Sequence, residues 1–194
     1  MRVYRIPFST NVERVALGLG HKRLDVEWID VPSEDRSEVA RVSGQGLVPV
    51  LDDDGRIVSD SEAILRYLEE RHPDRPLWPG EPARRAEVDV FVDWFNRLWK
   101  RAPNLIAAGG DPTKYGPRIT ASLDLFESLL DGRDHLLGEF GIADVIAFPF
   151  VKYAVDTNDE DDEPFHEILR EWQPIDGRPR VEAWIRRVDE RPRA

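Results

Sequence analysis

The sequence contains no cysteine. A disulfide, a thiolate metal site and a cysteine nucleophile are therefore excluded. Long apolar runs are missing too. The most apolar stretch, residues 141–155, carries Asp144, Pro149 and Lys152 and cannot span a bilayer. The opening Met1-Arg2-Val3-Tyr4-Arg5-Ile6 lacks the apolar segment of a signal peptide, which predicts a cytoplasmic location. Positive charge is also in deficit. The 194 residues have a net charge of −11. Such a field repels nucleic acid and anionic membrane surfaces, so neither is expected as a partner. The four histidines (21, 72, 135, 166) show no metal-ligand spacing, and no metal is expected. Asp156, Asn158, Glu160 and Glu167 imitate a calcium loop. However, Asp161 stands where that loop needs glycine and Pro164 interrupts it, so the segment reads as a solvated acidic loop.

Hydrophobic residues make up 41% of the chain, enough for a buried core, and the 34% of charged residues are mixed in sign. Residues 2–6 read as a short strand ended by Pro7. Thr10-x-x-Glu13 reads as a capping box that opens a helix with Val12, Val15, Ala16 and Leu19 on one face. Gly18 or Gly20 is expected to stop it. Residues 26–31 form a second strand, so the unit is βαβ with parallel strands. A short polar helix over 33–42 follows. Residues 47–51 and 56–59 then form a hairpin across the turn Asp52-Asp53-Asp54-Gly55. Ser59-x-x-Glu62 reads as a second capping box, followed by a helix carrying Ala63, Ile64, Tyr67 and Leu68. Prolines 73, 76, 79 and 82 mark a linker. Beyond it the pattern is helical throughout: Val88 to Trp99, Ile119 to Leu130, Ala143 to Val155, Glu167 to Trp172 and Val181 to Val188. The third of these is apolar nearly all round and is expected at the centre of a bundle. The predicted architecture is an α/β domain of order βαβαββα over 1–75, a linker over 76–84 and an all-α helical bundle over 85–194.

Three segments in this order resemble the glutathione transferase family: Phe8-Ser9-Thr10-Asn11-Val12-Glu13-Arg14-Val15-Ala16-Leu17, Leu47-Val48-Pro49-Val50-Leu51 and Asp60-Ser61-Glu62-Ala63-Ile64. Gly141-Ile142-Ala143-Asp144 resembles the segment that caps the central helix of the family's second domain. The resemblance spans essentially the whole chain. It implies that the first domain is thioredoxin-like, that the protein is a homodimer, and that glutathione or a related small thiol is the cosubstrate, with no permanently bound cofactor.

The resemblance also assigns roles. The Val48–Pro49 bond is expected to be cis, with the Val48 backbone pairing an extended peptide as an added strand would. Ser61 would hold the γ-glutamyl carboxylate at a helix N-terminus, and Asp60 the γ-glutamyl amine. Ser9 would hold the thiolate, with Asn11 as second donor, as in a serine-type bacterial class. Lowering a thiol pKa from about 8.5 to about 7 takes roughly 2 kcal/mol. One hydrogen bond to a charged group supplies about 1.5–3 kcal/mol and a helix N-terminus about 0.3–1 kcal/mol more. Plain helix capping is the competing reading of Ser9, Asp60 and Ser61. Thr10 is the better cap by its spacing to Glu13, which leaves Ser9 for chemistry. Ile6 stands where thiol-disulfide relatives have cysteine, so transfer rather than redox exchange is expected. Tyr4 is a minor candidate for the hydroxyl, and His21 and Arg14 for the glycyl carboxylate. Trp94, Phe95 and Trp99 read first as core and second as an apolar pocket. The reaction implied is conjugation of the thiolate to a small, largely apolar electrophile. The alternatives are a non-catalytic thiol-binding protein and a protein-interaction module on the same fold.

Overall fold

The computed structural model describes residues 1–156, 158, 161 and 163–194, and Glu160 of the acidic loop lies outside the described residues. The chain divides into two compact units, Met1–Leu77 with Arg191–Ala194, and Trp78–Glu190.

The first unit is built on a four-stranded sheet of order β2-β1-β3-β4. β1 is Arg2–Arg5, β2 Glu27–Asp30, β3 Val50–Asp53 and β4 Arg56–Ser59. β1 and β2 are parallel, joined through helix α1 (Thr10–Lys22), and the β1–β3 and β3–β4 pairs are antiparallel. Successive strand residues face opposite sides, so adjacent Val3 and Tyr4 serve two cores. Val3 and Leu51 pack against Val15 and Leu19 of α1 and against Ile64, Tyr67 and Leu68 of α3 (Ser61–Arg71). Tyr4 and Val50 pack against Val31 and against Val39 of α2 (Ser37–Ser43). The tight turn is tied by Asp52, whose carboxylate accepts from Gly55 N–H (2.8 Å).

Both predicted capping boxes shift by one residue. The cap of α1 is Ser9, not Thr10: Ser9 Oγ accepts from Val12 N–H (3.5 Å), while Thr10 is the first helical residue and is buried. Glu13 turns instead to Arg193 (3.0 Å). The cap of α3 is Asp60, not Ser59, and Glu62 pairs with Arg66 (2.8 Å). Nor do the glycines end α1, which runs on to Lys22. A side chain at Gly18 would collide with Leu65, and one at Gly20 with the backbone of Pro192. Close packing, not helix termination, explains both.

Lys22 is the last residue of α1, and its side chain is fully buried. Its ammonium pairs with Glu69 of α3 (2.7 Å) and donates to the carbonyl of His72 just beyond α3 (2.8 Å). Burial of an ammonium is tolerated because its donors are met.

The second unit is helical: α4 (Pro82–Trp94), a π-helical turn (Phe95–Trp99), α5 (Arg101–Ala107), α6 (Pro112–Leu129), α7 (Ile142–Val151), α8 (Pro164–Trp172) and α9 (Pro179–Asp189). Every residue of α7 is buried, as expected of a central helix, although it ends at Val151 and continues as a 3-10 turn through Ala154. Asp144 anchors its start. That carboxylate accepts from Gly141 N–H (3.0 Å), Leu136 N–H (3.1 Å) and Trp184 Nε1 (2.7 Å). Val88 to Trp99 is not one regular helix: Lys100 N–H reaches back five residues to Phe95 (3.0 Å), and the Phe95 and Trp99 rings stack at 4.5 Å. Asp161 joins α8 to the turn before it. It accepts from His166 Nδ1 (2.8 Å) and Arg170 (2.6 Å), and the other nitrogen of His166 meets the Tyr153 hydroxyl (3.0 Å). Among the described residues no helix is long and apolar enough to cross a membrane.

Two outcomes follow from these buried charges. Lys22→Met leaves Glu69 and the carbonyls after α3 without their cation, and denaturant unfolding should show a loss of about 3 kcal/mol or more. Burial alone would raise the Asp161 carboxyl, but hydrogen bonds from His166, the Glu163 N–H and Arg170 outweigh it and hold it below its ordinary value. Its stabilising contribution is therefore complete above the ordinary carboxylate range and is lost as pH falls through the lower folded value. The melting-temperature deficit of Asp161→Asn should therefore shrink as pH falls below about 4.

Candidate functional site

The strand register brings the three sequence segments together. Tyr4 pairs with Val50, and Val50 pairs with Ser59. The chain leaves β1 towards Ser9, enters β3 from Val48–Pro49 and leaves β4 towards Asp60–Ser61. All three segments therefore lie at one end of the sheet. The N-termini of α1 and α3 open there, each with the positive end of a helix dipole.

At the first segment, Ser9 is half-buried and accepts from Val12 N–H through an oxygen lone pair. Among the described residues its hydroxyl proton has no acceptor. Capping and donation thus use different parts of one hydroxyl. Phe8 precedes it with φ +65°, a conformation uncommon for a bulky residue, and its side chain is 71% exposed. Leu47, beside Val48, is 68% exposed.

At the second segment, the Val48–Pro49 peptide is cis. Val48 is half-buried and precedes the start of β3. Among the described residues neither its N–H nor its C=O has a backbone partner.

At the third segment, Asp60 has φ +78° and ψ 133°. Its Oδ1 accepts from Glu62 N–H (2.8 Å) and Ala63 N–H (3.2 Å). That leaves Oδ2 of an exposed carboxylate. Ser61 is buried, and its hydroxyl oxygen accepts from Arg14 Nη1 (3.3 Å). The same Nη1 donates to Asn11 Oδ1 (3.3 Å). Burial pulls the Arg14 guanidinium down to about 9, against the opposing pull of the Asp60 and Glu62 charges. At neutral pH it is still a cation.

The site therefore offers donors at Ser9, Ser61 and the Val48 N–H, and acceptors at the Val48 C=O and Asp60. This set suits an extended peptide bearing a carboxylate, an amine and an anionic third group. Other candidates fall outside it. Tyr4 is a core residue. His21 is the twelfth residue of α1, about 16 Å from its start, where burial first, then nearby Arg191, Lys22 and Arg75, lower its pKa. Arg14 reaches Asn11 and Ser61 rather than presenting itself at the surface. Its link to Ser61 was invisible in the sequence. The one available signal was its i, i+3 spacing to Asn11 beside the apolar positions Val12 and Val15.

The second unit has a cavity of about 250 Å³ lined by Trp94, Leu98, Trp99, Leu105 and Tyr115, with Arg101 and Arg118 among its walls. Trp94 and Trp99 line it, whereas Phe95 is wholly core.

Comparison with known proteins agrees across the chain. Residues 3–76 match the glutathione S-transferase N-terminal domain and residues 115–187 the glutathione S-transferase C-terminal domain. The chain is 30% identical to glutathione S-transferase GstB of Escherichia coli K12, over 95% of this chain and 90% of that protein. It is 31% identical to a probable maleylacetoacetate isomerase of Caenorhabditis elegans, over 62% of this chain and 52% of that protein. Among solved structures, a glutathione S-transferase from Rhodospirillum rubrum F11 superposes with a TM-score of 0.76 at 28% identity, covering 98% of this chain and 88% of that one. The β-etherase LigF of Sphingobium shares the fold with a TM-score of 0.82 at 20% identity, covering 98% and 95%. The chain belongs to the glutathione S-transferase family.

Proposed function

We propose that this protein conjugates the thiolate of glutathione, or of a related small thiol, to a small, largely apolar electrophile. One observation carries the reading: three segments converge at one sheet end, and each has hydrogen-bonding capacity left for a ligand. The extended thiol peptide pairs with the Val48 N–H and C=O as an added strand. Its γ-glutamyl carboxylate sits on Ser61 at the N-terminus of α3, where the helix dipole favours an anion. Its amine meets Asp60 Oδ2. The thiol then lies by Ser9 and Asn11.

In this reading catalysis is thiol activation. The Ser9 hydroxyl donates to the sulfur and favours the thiolate over the thiol, and the N-terminus of α1 adds to that preference. The thiolate attacks the electrophilic carbon, the new carbon–sulfur bond forms, and the electrons pass to the leaving or accepting group of the substrate. No general base is required, because the proton has already left the thiol when the electrophile arrives. Exposed Phe8 and Leu47, flanking Ser9 and Val48, support an apolar second substrate, as does the tryptophan-lined cavity of the second unit. The domain division 1–75, 76–84 and 85–194, a cytoplasmic location and a homodimer belong to the same reading.

Two variants test it. Ser9→Ala should raise the thiol pKa of bound glutathione by about one unit or more and lower the rate of conjugation to 1-chloro-2,4-dinitrobenzene about tenfold or more. Ultraviolet titration of the bound thiolate and steady-state assays measure both, and an unmoved pKa with an unmoved rate would exclude the enzymatic reading. Asp60→Asn keeps a good helix cap but loses the charge for the amine. Its KM for glutathione should rise roughly tenfold while kcat changes little.

A further inference from the structure

We propose that Arg14 is a positioning residue of the thiol site: from inside the first unit it holds the oxygens of Asn11 and Ser61 and so directs the donors of both side chains towards an anionic ligand. The inference rests on the reading of this site as a glutathione site.

The first unit buries two cations on α1, and their surroundings differ. Lys22 meets Glu69 and the carbonyls that follow α3, and touches no residue of the site. Arg14, 1% exposed, reaches the neutral side chains of Asn11 and Ser61, both at 3.3 Å from the same Nη1. Those two residues stand at the starts of the two helices that frame the site. The charges that oppose its burial, Asp60 and Glu62, are at the start of α3 as well.

A guanidinium only donates. The Asn11 atom facing it must therefore be the carbonyl oxygen, which places the amide N–H groups on the other side of the same plane. Ser61 must likewise present its oxygen lone pair to Arg14, so its O–H is the part left to donate. Among the described residues that proton has no acceptor. A thiolate and a carboxylate both need donors. Left alone, an asparagine can turn either end to a ligand and a serine can rotate its proton freely. Arg14 removes that choice at both residues at once. Its positive charge also favours an anion at either position.

The test uses the full-length protein with S-methylglutathione, which has no thiol and reads the carboxylate arm, and glutathione, whose bound thiol pKa reads the Asn11 arm. Arg14→Met replaces the buried cation with an apolar side chain of similar length, and Arg14→Lys keeps the charge but loses the planar fork and so guards against loss of the fold. Urea unfolding establishes that each variant is folded. The expected result is a fall of roughly tenfold in S-methylglutathione affinity for Arg14→Met. The bound-thiol pKa and the pH–rate profile of conjugation should move up together by about one unit. Arg14→Lys should show both changes to a smaller degree. A folded Arg14→Met or Arg14→Lys protein with unchanged affinity and unchanged thiol pKa overturns the proposal and makes Arg14 a structural residue only. If the parent protein itself binds neither ligand, the glutathione reading fails and the Arg14 proposal falls with it. Binding by the parent, with no difference in the variants, removes the Arg14 proposal alone.

Discussion

The pairing of α1 with α3 is the interaction on which the first unit depends. Two buried cations of α1 set it. Arg14 meets Ser61 where α3 begins, and Lys22 meets Glu69 and the His72 carbonyl where α3 ends. Between them the absence of a side chain at Gly18 admits Leu65. The helices thus run side by side in one register, start with start and end with end. Burying charge is costly. At Lys22 the cost is offset by Glu69 and the carbonyls after α3, whereas Arg14 is met through Nη1 while its Nη2 is buried with no hydrogen-bond partner among the described residues. The consequence is functional. Two helix N-termini, each able to stabilise an anion, open at the same end of the sheet.

That arrangement also reconciles the charge of the protein with the charge of its proposed ligand. The chain is strongly acidic, yet a glutathione thiolate carries excess negative charge. Attraction comes from local sources: the two helix N-termini, the Val48 N–H and the Ser61 hydroxyl proton, which have no partner among the described residues, and the cation of Arg14 behind Asn11 and Ser61. Such short-range groups dominate over distant surface charges, which solvent and salt screen within about 10 Å. The second unit solves its own problem in a similar way. Its central helix, apolar on every side, is oriented by one buried carboxylate, Asp144, which gathers N–H groups from before α7, from its cap and from Trp184 of α9.

Much of this was legible in the sequence. Alternation in 2–6 and 26–31, the turn at Asp52-Asp53-Asp54-Gly55 and the helical spacing of Val12, Val15 and Leu19 are local signals, and they yielded the order of elements. The apolar surround of 143–155 marked the central helix for the same reason. The errors were also local, and instructive. Thr10 and Ser59 fit the capping-box spacing, yet Ser9 and Asp60 cap, because the chain's entry angle at the sheet end decides which residue has non-helical backbone. Gly18 and Gly20 carry the residue type of a helix stop but serve close contacts with Leu65 and Pro192, partners remote in sequence. The π-helical turn over 95–99 has no compositional mark, since it arises from how Phe95 and Trp99 pack.

The sequence by itself determined the class of the fold, the family and the three segments that compose the candidate site, because periodicity, turn residues and short motifs are properties of neighbours along the chain. Only the tertiary structure decided how those segments are joined. Asn11 and Ser61 lie fifty positions apart, and nothing local couples them. A single guanidinium buried between two helices does, and it assigns Arg14 to the positioning of the site rather than to direct contact with the ligand's far carboxylate. Hydrogen bonds of that kind depend on which surfaces meet when the core closes, and that is settled by packing in three dimensions.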